Sequence, residues 1–218
     1  MIGIIFAMEK ELAPYISGRE FDKKVIGNKS FYFFNINGKN CVAVHSGVGK
    51  VNSAYATGLL INCFSPEYVI STGVSGGLGV SELLETVVST SCVQYDVDTS
   101  ALGDEIGFVS TVNKTYFECD KDLTATFIQK AGLKSGILAS GDKFVADKTT
   151  AEFIVNNFNA VACDMESGAI AQVAYITKTP FVAIRCISDG ADDNAPISFD
   201  KLTDVASNKL YYIVSSVI

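Results

Sequence analysis

The sequence predicts an α/β fold: a single domain, residues 1–218, built on a central, mixed, largely parallel and twisted β-sheet flanked by helices. Short, very apolar, β-branched runs alternate with segments of helical character along the chain, the pattern of strands buried on both faces and connected through helices. No linker, repeat or low-complexity tract interrupts this alternation, and 218 residues suit one large α/β domain. Hydrophobic residues make up 48% of the chain and charged residues 19%, with a mean hydropathy of +0.28. Such a chain needs much buried sheet or an oligomer interface. At this size it can bury roughly 70% of its unfolded surface, so neither a disulfide nor a metal is needed to fold it.

Residues 1–7 read as a strand buried on both faces. A helix follows from about Glu9 and stops at Ser17-Gly18-Arg19. The runs Phe31–Ile36 and Asn40–His45 are joined by Asn37-Gly38, a strong hairpin signal. Ser46-Gly-Val-Gly-Lys50 then turns the chain into an apolar helix over residues 51–63. Tyr68–Thr72 is another buried strand, expected to end in a glycine-rich turn, Gly73-Val-Ser-Gly-Gly77. A strand over 86–93 precedes a long excursion, 95–117, without a clean period; a loop of that length is usually functional or covered by a partner. A helix (121–131), a strand (135–140), a helix (147–157) and a strand to Cys163 follow. A helix from Met165, a strand at Phe181–Ile187 and a last helix from about Ser198 complete the chain.

The formal charge of −7, from 24 acidic and 17 basic residues, argues against nucleic acid or an anionic membrane as partner, since both are bound through basic patches. The six cysteines are scattered, no Cys-x-x-Cys occurs, and His45 is the lone histidine. They read as reduced thiols in a cytoplasmic protein rather than zinc ligands or a disulfide framework. The apolar N-terminus lacks a basic start and is interrupted by acids after eight residues, unlike a signal peptide. No segment approaches the ~20 apolar residues of a membrane-spanning helix.

The chemistry concentrates where strands end. Val161–Ala169 reads as a buried strand running into Asp164 and Glu166 and then into a helix of small residues, the place where open α/β sheets form their ligand crevice. Asp164 serves equally well as a helix N-cap; a cap accounts for only one of the two acids. Glu11 follows the first strand and Asp189 follows Phe181–Ser188. A parallel sheet would bring these ends to one edge, so the three acids Glu11, Glu166 and Asp189 could converge. The two glycine-rich segments match neither a P-loop, where Val44 and Val51 stand at required positions, nor a dinucleotide fingerprint, where Ser75 replaces a glycine. They fit either tight turns or a close approach of backbone to a ligand, with Ser75 and Gly76 as candidate contacts.

Six fragments occur in order: Ala7-Met8-Glu9-x-Glu11, Ser46-Gly-Val-Gly-Lys50, Thr72-Gly-Val-Ser-Gly-Gly77, Ser140-Gly-Asp-x-Phe144, Asp164-Met-Glu166 and Arg185-x-x-Ser188-Asp189. Together they resemble the 5′-methylthioadenosine/S-adenosylhomocysteine nucleosidases of the purine nucleoside phosphorylase-like superfamily. The resemblance implies that Glu11 activates the attacking water, Glu166 accepts from the ribose hydroxyls beside Met165, and Asp189, held by Ser188, protonates adenine N7. It further implies that Phe144 stacks on the base, that the Val145 backbone reads its edge, and that Met8, Val48 and Phe199 line the sugar and 5′-thio end. No cofactor or metal is implied, and a homodimer is. The 94–108 stretch matches poorly; the resemblance implies that it helps form the dimer and reaches into the neighbouring subunit's pocket, which makes Leu102 a candidate for the 5′ pocket there. The chain departs from many relatives in carrying Val74-Ser75 where they have serine and alanine.

The chemistry asks for the same set. Cleaving an N-ribosyl bond places positive charge on the sugar and negative charge on the departing purine, so a carboxylate at the ribose and a proton donor at the base both lower the barrier. Asp189 then needs a raised pKa, which Cys186 and Ile187 could provide by burial, whereas Glu11 should stay ionised. A phosphorolytic purine nucleoside phosphorylase is the nearest rival, but only Arg19 and Arg185 are available for phosphate. A futalosine or aminofutalosine hydrolase differs in the 5′-substituent, which sequence resolves poorly. A non-catalytic nucleoside-binding or storage protein has no need of a matched acid and base.

Overall fold

A computed structural model describes residues 1–79 and 81–218. Strands β1 (Ile2–Phe6), β2 (Asp22–Ile26), β3 (Lys29–Ile36), β4 (Lys39–His45), β5 (Tyr68–Gly77), β6 (Thr86–Gln94), β7 (Tyr116–Glu118), β8 (Lys134–Ser140), β9 (Ala160–Asp164) and β10 (Phe181–Asp189) alternate with helices α1 (Glu9–Ile16), α2 (Lys50–Phe64), α3 (Lys121–Ala131), α4 (Lys148–Phe158), α5 (Ser167–Thr177) and α6 (Ala195–Val217). All ten strands join one mixed sheet. Its middle is parallel, with β4, β1, β5 and β10 side by side, and β2–β3–β4 is an antiparallel edge.

Alternation along β1 sets the layers. Ile2, Ile4 and Phe6 face a core shared with α1, α3 and α6, through Leu12, Tyr15, Phe127, Leu210 and Val214. Ile5 faces the opposite core with α2 and α5, through Ala56, Leu60, Ile170 and Ala174. This period of two is what a strand buried on both faces requires. Gly3 points toward α2, where a Cβ would lie 2.7 Å from Leu60 Cδ2, so the helix packs directly on bare backbone. A third core under α4 joins Leu78, Tyr95, Ile154 and Phe158.

The sheet also closes on itself. The first half of β5 pairs with β1 and its end pairs antiparallel with β9 through Gly76 and Gly77, while β10 runs along its other side. Because β10 continues through β6 and β8 to β9, these strands return to β5 as a ring. Register irregularities at Ile187/Asp189 and Ser89/Ser91 supply the bending that closure needs.

Several expected boundaries are corrected. Gly73–Gly77 is not a turn but the extended end of β5, and none of its glycines has positive φ. The helix expected from Met165 begins at Ser167, and the last helix begins at Ala195 rather than Ser198, where Pro196 fits the first turn. Strand β2 was not expected: it is an exposed edge carrying Lys23 and Lys24, without a buried face to reveal it. The excursion 95–117 contains two single 3₁₀ turns and the start of β7. Among the described residues, no helix is long and apolar enough to cross a membrane.

Ile70 is fully buried between Ile4 of β1 and Val182 of β10. We expect Ile70→Ala to cost about 2–5 kcal/mol in denaturant unfolding, the scale of a deleted core side chain.

Candidate active site

A cleft open to solvent lies where β1, β5, β9 and β10 end. All twelve candidate residues border it: Met8, Glu11, Val48, Ser75, Gly76, Phe144, Val145, Met165, Glu166, Ser188, Asp189 and Phe199. Ala7, Val74, Lys143, Cys163 and Asp164 also line it. Val74 and Cys163 are ordinary apolar strand residues, and nothing in their residue type marks them as lining a cleft. Leu102, expected at the neighbouring subunit's pocket, does not border the cleft of its own chain and is 83% exposed on the 3₁₀ turn Ser100–Leu102.

Glu11 occupies the third position of α1 and turns back over its start. Its Oε2 accepts from the Ala7 and Met8 amides at 3.0 and 2.9 Å, and its Oε1 from Val74 N–H at 2.9 Å. The acid therefore caps α1 while lining the cleft. A Cβ on Gly73 would lie 2.4 Å from Glu11 Oε1, which explains this glycine by close approach instead of by a turn. Burial pushes the Glu11 pKa up, against the pull of the Val74 amide, the Arg185 charge and the Met8 and Ala7 amides. The expectation that Glu11 simply stays ionised is thus modified: in the ligand-free cleft its charge is opposed by desolvation.

Asp164 is the acid whose role the sequence left open, and it is a cap. Its Oδ1 accepts from the Glu166 and Ser167 amides at 3.2 and 3.1 Å, and both Ser140 Oγ and Ser167 Oγ donate to it. Arg185 Nε donates to Asp164 Oδ2 at 2.7 Å, and its Nη2 to Ser71 Oγ at 2.9 Å. Both side chains are buried. Burial opposes the Asp164 charge, but the Arg185 guanidinium and the two hydroxyls outweigh it and hold the carboxyl below its ordinary value.

Glu166 stands at the N-terminus of α5, with Oε1 accepting from Gly49 N–H at 2.8 Å. Burial, with the neighbouring Asp164 charge, pushes its pKa up to about 8, against the Gly49 amide and Arg185. Asp189 closes β10 beside Gly76, whose added Cβ would lie 3.0 Å from Asp189 Oδ1. Ser188 Oγ donates to Asp189 Oδ2 at 2.9 Å, and Ala191 N–H to Oδ1 at 3.1 Å. Burial raises this carboxyl, with the Ser188 and Ala191 contacts acting the other way. Phe144 and Phe199 meet edge-on at 5.5 Å across the mouth, and Ser75 Oγ is buried without a partner among the described residues. Among the described residues, no group of three or more His, Cys, Asp or Glu side chains could hold a metal ion.

An α/β fold with a concave cleft at its strand ends, lined by perturbed carboxylates, defines an acid–base enzyme acting on a small molecule. A family model described as the phosphorylase superfamily matches residues 1–218. The 5′-methylthioadenosine/S-adenosylhomocysteine nucleosidase of Psychromonas ingrahamii is 38% identical, over all of this chain and 97% of that one. The structure of the nucleosidase of the same name from Neisseria meningitidis, in complex with methylthio-immucillin-A, superposes with a TM-score of 0.94 at 34% identity, covering 99% of this chain and 97% of that chain. The futalosine hydrolase of Helicobacter pylori strain 26695 is also similar, with a TM-score of 0.95 at 32% identity over 99% of this chain and 96% of that one. The chain belongs to the phosphorylase superfamily and, within it, to the 5′-methylthioadenosine/S-adenosylhomocysteine nucleosidase family.

The raised carboxyls make stability pH-dependent. Folded Glu166 keeps its proton up to about 8, against an ordinary value of 4.5. Between those values the folded state binds more protons than the unfolded one, so this stability is full at the acid end and lost as pH rises. Glu11 and Asp189 act with the same sign. The unfolding free energy of the ligand-free protein should therefore fall from pH 4.5 toward 8, and Glu166→Gln should flatten the slope. An unchanged slope in that variant contradicts the assignment.

Proposed function

We propose that this protein hydrolyses the N-ribosyl bond of 5′-methylthioadenosine and S-adenosylhomocysteine, releasing adenine and the 5-thioribose product without metal or cofactor. The observation that carries the reading is the convergence of Glu11, Glu166 and Asp189 on one cleft with aromatic and aliphatic walls. The names of the relatives support it.

In this reading a water in the cleft attacks the anomeric carbon and gives its proton to Glu11. Glu166 accepts from the ribose hydroxyls, and above its raised pKa its charge also steadies the cationic sugar of the transition state. Asp189, protonated because burial disfavours its charge, donates to N7 so that adenine leaves neutral. Ser188 orients that carboxyl. Phe144 stacks on the base while the Val145 backbone reads its edge, and Ser75 and Gly76 border it. Met165 packs beside the ribose; Met8, Val48 and Phe199 receive the 5′-thio end.

Phosphorolysis is disfavoured by the arginines. Arg185 is buried against Asp164, and Arg19 sits over Phe34 and Tyr211, donating to Tyr211 Oη. A second reading, futalosine hydrolysis, rests on the likeness to the Helicobacter pylori enzyme and differs in what fills the 5′ end and sometimes in the base.

We further propose that residues 1–218 act as one unit, in the cytoplasm, as a homodimer. The six unpaired cysteines suit a reducing compartment. Helices α2 and α5 pack together and leave Val51, Tyr55, Tyr175 and Ile176 exposed, an apolar face of the kind that symmetric dimers cover.

Purified protein should release adenine from methylthioadenosine in phosphate-free buffer, with no acceleration by phosphate; release that requires phosphate overturns the role of Glu11. Asp189→Asn should lower kcat about 10²–10⁴-fold, the scale of a positioned acid. Sedimentation should give twice the 23.3 kDa chain mass, and a monomer at working concentration contradicts the dimer.

A further inference from the structure

The start of α2 carries a polar network that the steps above leave unused. The helix has no side-chain cap of its own. Its first amides are taken by carboxylates from distant segments: Gly49 N–H donates to Glu166 Oε1, and Lys50 N–H to Asp142 Oδ1 at 2.7 Å. Asp142 is held in turn by Asp96, whose Oδ2 accepts the Asp142 amide at 2.9 Å while its Oδ1 accepts from Lys50 Nζ at 2.6 Å. Three contacts thus close a ring among the helix start, the segment after β6 and the segment after β8.

The ring is a built feature rather than a chance surface pair. The Lys50 and Asp96 side chains are 18% and 28% exposed; Asp96 and Asp142 stand at the surface, where a networked pair holds its geometry better than an isolated one. Gly49 has φ +96°, and a Cβ there would lie 3.1 Å from Asp142 Oδ1, so the approach of the two segments requires glycine. The segment that Asp96 grips continues from Asp142 into Phe144 and Val145, the proposed wall for the base. Neither Lys50 nor Asp96 borders the cleft.

We propose that Lys50, Asp96 and Asp142 are positioning residues for the reaction: their ring fixes the Gly49 N–H against Glu166, and so sets the ribose carboxylate in register with the Phe144–Val145 wall. The inference rests on the ribose role proposed for Glu166. It assigns a function to the glycine-lysine segment that neither a P-loop nor a simple turn supplies.

Asp96→Ala tests it, because Asp96 touches neither Gly49 nor Glu166. In the full-length, ligand-free protein, exchange of the Gly49 amide should accelerate by about 10-fold or more, while core amides such as that of Ile4 keep their protection. With methylthioadenosine, kcat should fall about 10-fold and KM should change by no more than about two-fold, as for lost orientation. In a Glu166→Ala background the same substitution should change kcat by less than about two-fold, because its effect passes through Glu166. Lys50→Met should give the same pattern and decides the matter if Asp96→Ala does not fold. Unchanged Gly49 exchange, or an equal kcat loss in both backgrounds, overturns the proposal. If the unsubstituted protein releases no adenine, the proposed function fails, and Gly49 exchange alone still decides whether the ring holds that amide.

Discussion

The buried pair of Arg185 and Asp164 is the interaction on which the rest of this site depends. Asp164 ends β9, caps α5 and receives Ser140 from β8, while Arg185 comes from β10 and reaches Ser71 on β5. One ion pair therefore ties four strands and a helix at the place where the cleft opens. Taking two charges out of water costs several kcal/mol per ion unless the remaining lone pairs and protons are satisfied. The serine hydroxyls and the amides at the start of α5 do that work. Such a pair is weak evidence of stability gained. Its value here is geometric, because it fixes the orientation of the β9–α5 turn that carries Met165 and Glu166.

The same arginine sets the electrostatic balance. Its guanidinium bears on Glu11, Asp164 and Glu166 alike, and it is spent mainly on the nearest. Asp164 is held ionised, whereas Glu166 and Glu11 feel the charge at longer range and cannot offset their burial. Asp189 is held by Ser188 and the Ala191 amide. One positive charge thus holds Asp164 ionised, while burial raises its neighbours Glu11 and Glu166. The extended end of β5 makes this crowding feasible: Gly73 admits Glu11 and Gly76 admits Asp189.

Much of this was legible in the sequence. Apolar strands alternating with helices gave the layers, and acids placed after strands gave the three carboxylates at one edge. The closure of the sheet was not legible, because it depends on β5 changing partners halfway along and on three register irregularities far apart in sequence. The glycine-rich end of β5 was misread as a turn for a related reason: glycine marks both positive φ and close approach, and only the position of Glu11 separates them. Strand β2 presents no apolar face, although Gly27-Asn28, both with positive φ, is a hairpin signal that could have located it. The raised pKa of Glu166 and the ring through Asp96 depend on contacts between segments that no spacing along the chain reveals.

The most direct test of the account is a structure of the protein with a non-hydrolysable 5′-methylthio nucleoside analogue bound. The account predicts base N7 within hydrogen-bond distance of Asp189, the ribose hydroxyls on Glu166, and the 5′-thio group against Met8, Val48 and Phe199. An analogue bound with its sugar away from Glu166, or outside this cleft, would contradict it.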